Sequence, residues 1–208
     1  MKYSRAQSVF ARAIGPALPL ALVLLTGAAQ AQTPPSLGDN CTGNTDVPWS
    51  EQITGCTKAI ESGQHAGKDL ATAFIWRSKA YAMGGDLDRG LADIEQAIRL
   101  DPKDVFALGA RGDLHLVKKD YPQALADYNA AIAVDPSSAL SVVGRGITYF
   151  AAGDFDHAIA DFDQASRMQP TLADAPYWRG VARLRKGDKA GGEADIAAAK
   201  KLNPAIGQ

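Results

Sequence analysis

Three histidines, two cysteines and 23 Asp+Glu are the groups in this 208-residue chain that could do chemistry. Catalysis would need them gathered by recognisable spacing. His65 falls in a Gly-rich stretch, and His115 and His157 lie 42 residues apart in different repeat contexts, so no His pair has metal-ligand spacing. HExxH, GxSxG and GxxxxGK[ST] are all absent, which leaves no zinc-hydrolase helix, nucleophile elbow or phosphate loop. No catalytic residue, metal ligand or cofactor is therefore expected. Cys41 and Cys56 are the only thiols and do not form a CxxC. An even count in an exported chain reads as one disulfide closing a loop of about fifteen residues.

The charged groups that do recur are spaced by thirty-four residues. Arg77, Arg111, Arg145 and Arg179 form one series, and Asp93, Asp127, Asp161 and Asp195 the other. Two readings suit them: a ladder of structural Arg–carboxylate pairs between helices, or an arginine row that grips acidic groups of a peptide. Arginine's planar fork suits both. Each arginine precedes a small residue (Ser78, Gly112, Gly146, Gly180) that a helix crossing would bury. That neighbour favours the structural reading.

The elements that must position these groups repeat with the same period. RLDP at 99–102, AVDP at 133–136, RMQP at 167–170 and KLNP at 201–204 end successive units. With the proline at position 32, the repeats are 71–104, 105–138, 139–172 and 173–206. Small residues recur at positions 8, 20 and 27, and the large Ile94, Tyr128, Phe162 and Ile196 at position 24. Positions 20, 24 and 27 share one helical face, so small residues admit a crossing helix and large ones fill the gaps. Gly85-Asp86, Lys119-Asp120, Gly153-Asp154 and Gly187-Asp188 mark the turn within each repeat. There a glycine can adopt the left-handed terminal conformation and the aspartate can cap the next helix.

The two ends differ from the middle. Residues 1–31 carry Lys2, Arg5 and Arg12, an apolar run from Ile14 to Ala28 and then Ala29-Gln30-Ala31. That is the pattern of a secretory signal peptide cleaved after Ala31, giving a periplasmic or secreted protein with no stable membrane insertion. Its removal leaves 19 Lys+Arg against 23 Asp+Glu, a net charge of about −4. Phosphate neutralisation needs concentrated positive charge, so nucleic acid is not an expected partner. Residues 32–47 read as an irregular polar segment. A leading helix follows at 48–62, and helical repeats run from about Asp69 onward.

These residues resemble the tetratricopeptide repeat of exported bacterial proteins, a thirty-four-residue helix–turn–helix unit, over four units in unbroken register. The resemblance implies an all-α fold, a right-handed α-solenoid of nine helices. The leading helix is similar to the second half of a degenerate repeat, with Cys56 and Ile60 at positions 20 and 24. It also implies that first helices line a concave face through positions 2, 5, 9, 12 and 13. Carried onto this chain, that face holds Phe106, Leu140, Val143, Ile147, Phe150, Tyr177, Val181 and Leu184, with Lys79 and Asp113 as a separated opposite pair. Pro176 falls in a first turn, where it is tolerated, and Gly191-Gly192 weakens the last helix. The function implied is a non-enzymatic scaffold that binds a protein or peptide. Alternatives are a self-associating subunit docking through its C-terminal end, residues 196–206, or an accessory to an envelope enzyme complex.

Overall fold

A computed structural model describes residues 37–207 except 39 and 45. The expected signal peptide lies outside the described residues. Among them are nine helices: α1 (Trp49–Glu61), α2 (Gly67–Met83), α3 (Leu87–Leu100), α4 (Val105–Val117), α5 (Tyr121–Val134), α6 (Ala139–Ala152), α7 (Phe155–Met168), α8 (Asp174–Lys186) and α9 (Lys189–Leu202). The chain divides into two compact units, the first ending at Lys118 and the second beginning at Lys119. The division falls within the second repeat. In the first unit α2 packs against α1, α3 and α4; in the second α6 packs against α5, α7 and α8, and α8 against α7 and α9. The first repeat's helix starts at Gly67, two residues earlier than the sequence suggests.

Turn chemistry sets the helix ends. Gly85, Gly153 and Gly187 have φ of 84°, 86° and 92°, and Lys119 takes the same left-handed conformation at 62°. A side chain there costs roughly 1 kcal/mol, so the turn must be held by its neighbours. The following aspartate supplies that hold: Asp86, Asp120, Asp154 and Asp188 accept the backbone N–H of Arg89, Gln123, His157 and Gly191. Between repeats the N–H groups of Asp101, Asp135, Gln169 and Asn203 donate to the carbonyl of the fully buried position-27 alanine. The proline comes next and pre-sets φ for the β-turn closed by Asp104, Ser138, Leu172 and Ile206.

Core packing follows the small and large positions. Ile94, Tyr128 and Phe162 are buried at position 24, and the four alanines at position 27 have no exposed surface. Gly180 and Gly192 show why the last repeat keeps its glycines. A Cβ on Gly180 would lie 2.7 Å from the Gly192 carbonyl oxygen, and one on Gly192 would lie 2.8 Å from that of Gly180. The two backbones touch, so the helix-weakening Gly192 is what lets α8 and α9 cross.

An arginine clamp joins the helices of a repeat. Arg77 donates through Nε and Nη2 to both Asp93 oxygens at 2.7 and 2.8 Å. Arg145 does the same to Asp161 at 2.8 and 2.7 Å, and Arg179 to Asp195 at 2.9 and 2.6 Å. The remaining Nη1 reaches back to the preceding hairpin: to Thr57 from Arg77, Asn129 from Arg145 and Asp163 from Arg179. Hydrogen bonding to Asp161 holds the Arg145 guanidinium above its ordinary pKa. Arg111 is half-buried on α4, and Asp127 is buried on α5. Loss of one partner strands a largely buried charge, so Asp161→Ala should lower unfolding free energy by roughly 2–4 kcal/mol. Urea denaturation of that variant, of Arg145→Ala and of the double variant forms a thermodynamic cycle. A coupling above about 1 kcal/mol is expected, and strict additivity would show that the pair is not a structural clamp.

Candidate functional site

The inner side of the first unit is occupied by the chain itself. Residues 40–44 fold back over α1 and α2, fixed by the Cys41–Cys56 disulfide with a Cα–Cα distance of 4.4 Å. Gln52, buried on α1, donates through Nε2 to the carbonyls of Asn44 and Val47 at 2.9 and 2.8 Å. Leu37 and both cysteines join Ala59 and Ala73 in one apolar cluster, with Trp76 packed against it. Gly43 lies so close to Trp76 that an added Cβ would meet the indole at 2.5 Å. The Gly43 carbonyl also stands 3.5 Å from Lys79 Nζ, which sits 5.5 Å from the Trp76 ring centre.

This strap changes the standing of the first-unit residues. Lys79 is only 5% exposed, and Asp113 is buried as well. Burial pushes the Lys79 ammonium below its ordinary pKa. Both residues line one small cavity of about 20 Å³, together with Phe106. The space admits about one water molecule and no peptide side chain. Lys79 and Asp113 are therefore not an open, separated pair on a groove. Half-buried Phe106 is also engaged by an aromatic neighbour, with its ring centre 6.0 Å from that of Trp76.

The second unit sorts the remaining face residues into two sets. Val143 and Ile147 have 0% exposure, and Phe150 is buried against Phe155 and Trp178. The expectation that these three meet a partner is corrected. They sit on α6, packed against three other helices, so inter-repeat contacts consume their side chains. Leu140, Tyr177 and Val181 stay half-exposed, and Leu184 is 39% exposed. Three of these four lie on α8, the last first-type helix among the described residues, which packs against α6, α7 and α9. Asp174 opens that helix, and burial raises its carboxyl pKa. Arg185 flanks the same helix, with its guanidinium carbon 6.0 Å from the Phe150 ring centre.

The C-terminal end caps itself. Ile206 is buried with Ala173 and Ala199, and Tyr177 packs on this group. That removes Ile206 from the apolar surface through which the trailing end was expected to dock. The titratable groups do not converge. Among the described residues no three His, Cys, Asp or Glu could hold a metal ion. His157 is exposed, with Nδ1 2.6 Å from Asp154, and stacks on Tyr149. The Arg77, Arg145 and Arg179 donors are spent on intramolecular acceptors rather than aimed at a ligand.

Sequence reasoning missed two features. One is the strap across Lys79; position 6 gave no distinct signal for it, since Trp76 of the first repeat recurs as Trp178 in the last. The other is a cleft of about 610 Å³ in the first unit, walled by Trp49, Tyr81, Asp86, Arg89 and Lys118. Trp49, directly after Pro48 on an otherwise polar turn, was the residue that could have marked it.

Consecutive helix hairpins with buried small crossing residues define an all-α repeat protein, an architecture typical of non-catalytic interaction modules. The particular architecture is that of the tetratricopeptide repeat. Tetratricopeptide repeat family models match residues 77–139 and 112–177. No curated protein matches the chain. Solved structures similar in fold include TTC0263, a tetratricopeptide-repeat protein of Thermus thermophilus, with TM-score 0.66 and 18% identity over 76% of this chain and 84% of that one. A second is MamA from residue 41 to its end, from Desulfovibrio magneticus RS-1, with TM-score 0.64 and 17% identity over 83% of this chain and all (100%) of that one. A third is YrrB, a tetratricopeptide-repeat protein with an unusual peptide-binding site, at TM-score 0.57 and 18% identity over 76% and 79% of the two chains.

The strap's anchorage is open to test. A Cys41→Ser/Cys56→Ser variant loses the loop-closure constraint, worth about 3 kcal/mol. Residues 37–47 should become cleavable by protease, and quenching of Trp76 fluorescence by acrylamide should rise. Unchanged protection would mean that Gln52 and Leu37 hold the segment without the disulfide.

Proposed function

We propose that the protein is an exported, non-enzymatic scaffold that binds a protein or peptide segment on the α6–α8 face of its second unit. The observation that carries this reading is the accessible apolar run Leu140, Tyr177, Val181 and Leu184, three of them on α8. Partly exposed aliphatic and aromatic groups on one face favour the apolar side of an extended or helical segment. Arg185 at its edge favours an acidic residue in that segment. The peptide-binding site named for YrrB supports the general mode. Placement in the periplasm or outside the cell rests on the sequence of residues 1–31 and on a disulfide, which persists in oxidising compartments.

Val181→Glu with Leu184→Glu puts two charges on this face. Capture of the exported protein's partners, quantified by mass spectrometry, should fall at least about tenfold, the equivalent of 1.4 kcal/mol. The melting curve serves as the folding control. Partners retained in full by a normally folded variant would remove the α6–α8 face from the mechanism. Export carries its own test. Intact mass of the protein recovered from the periplasm or medium should correspond to a chain starting at Gln32, with Cys41 joined to Cys56. Full-length protein in the cytosol with free thiols would refute it.

A further inference from the structure

The cleft in the first unit lies at the end where α2 turns into α3. Its chemistry is distinctive. Trp49 is 45% exposed there, the most exposed aromatic side chain among the described large hydrophobics. The indole lies close to the backbone of Gly84, where an added Cβ would approach it to 3.0 Å. A bare glycine turn thus seats the ring while leaving much of it open. Beside it Arg89 stacks over Tyr81, with its guanidinium carbon 4.5 Å from the ring centre.

The charges around the cleft cancel in pairs. Arg89 Nε meets Asp86 at 2.6 Å, and Lys118 Nζ meets Asp88 at 2.5 Å. An anionic or cationic ligand would have to compete with a partner already in place. A neutral ligand with adjacent hydroxyls need not. One hydroxyl can donate to a carboxylate while its neighbour accepts from the paired ammonium or guanidinium, since each group keeps unused donors or lone pairs. The C–H face of a sugar ring would then cover the open indole, removing apolar surface from water. The volume, about 610 Å³, lies within the range of small-molecule sites. A peptide fits this pattern less well. The cleft sits at the α2–α3 turn, and its rim offers paired charges rather than a free cation or anion to hold a peptide end.

We infer that the Trp49 cleft is a binding site for a neutral carbohydrate chain, separate from the protein-binding face. The site would attach the scaffold to a glycan while the second unit holds its partner.

The test is titration of the full mature protein with maltotetraose, cellotetraose, chitotetraose and mannotetraose. Saturation-transfer NMR and tryptophan fluorescence supply the readouts. At least one sugar should bind saturably, with ring protons showing the transfer. Trp49→Ala should weaken that binding at least about tenfold. Asp88→Asn, a change at an exposed carboxylate that leaves the fold alone, should weaken it about threefold or more. Neither change should alter partner capture by the second unit, which separates failure here from failure of the scaffold reading. Absence of binding by all four sugars overturns the inference, as does equal binding by folded Trp49→Ala protein. Trp49-dependent binding of an uncharged Gly/Ser/Ala peptide in place of the sugars would also overturn it, in favour of a peptide site.

Discussion

A guanidinium held on three sides is the interaction on which the repeat geometry depends. Two of its arms grip the carboxylate of its own repeat's second helix, and the third reaches the helix before. The planar fork fixes distance and direction together, which a lysine could not do. Because the arginine sits next to the small crossing residue, the clamp acts where the helices already touch. Alanine at position 27 and glycine or serine at position 8 make close approach available, and the clamp selects one rotation among those that sterics allow. Attraction of this kind, mostly out of water, costs desolvation, so its value lies more in geometric choice than in net free energy.

That division of labour explains why so many charged residues have no part in chemistry. Aspartates are consumed as clamps, helix caps or turn acceptors. Asp161 binds Arg145, Asp154 caps α7, and Asp135 accepts the N–H of Ser137 in the turn before α6. Hydrogen bonding to Ser137 holds the Asp135 carboxyl below its usual pKa. The groups left over for recognition are apolar and few. They collect on α8, the last first-type helix among the described residues, while Val143, Ile147 and Phe150 of α6 are buried.

Legibility in the sequence followed periodicity. Helix pairs, turn aspartates and clamp partners were readable because the same residue type recurs every thirty-four positions, and one local rule explains each recurrence. The disulfide was readable because only two cysteines exist. The exposed face was harder. Val143, Ile147 and Val181 look alike in the repeat alignment, yet the first two are sealed by neighbouring helices and the third is not. α6 and α8 each pack against three helices, so burial at those positions depends on which side those helices cover, a property of place in the array rather than of residue type. The strap lies outside the repeat altogether. Nothing in the period could say that Gly43 would rest on Trp76 or that Lys79 would lose its solvent.

The Cys41–Cys56 bridge gives that strap a memory. Cys56 has no exposed surface and Cys41 almost none, so a thiolate cannot attack either sulfur without local unfolding. The redox state is thus fixed when the chain folds, not adjusted afterwards. A molecule folded under oxidising conditions carries its first repeat permanently shut. One folded where thiols stay reduced lacks that covalent tie, and the strap then rests on the Gln52 hydrogen bonds and the packing of Leu37. What ties the strap down is thus set by the compartment in which the chain folds.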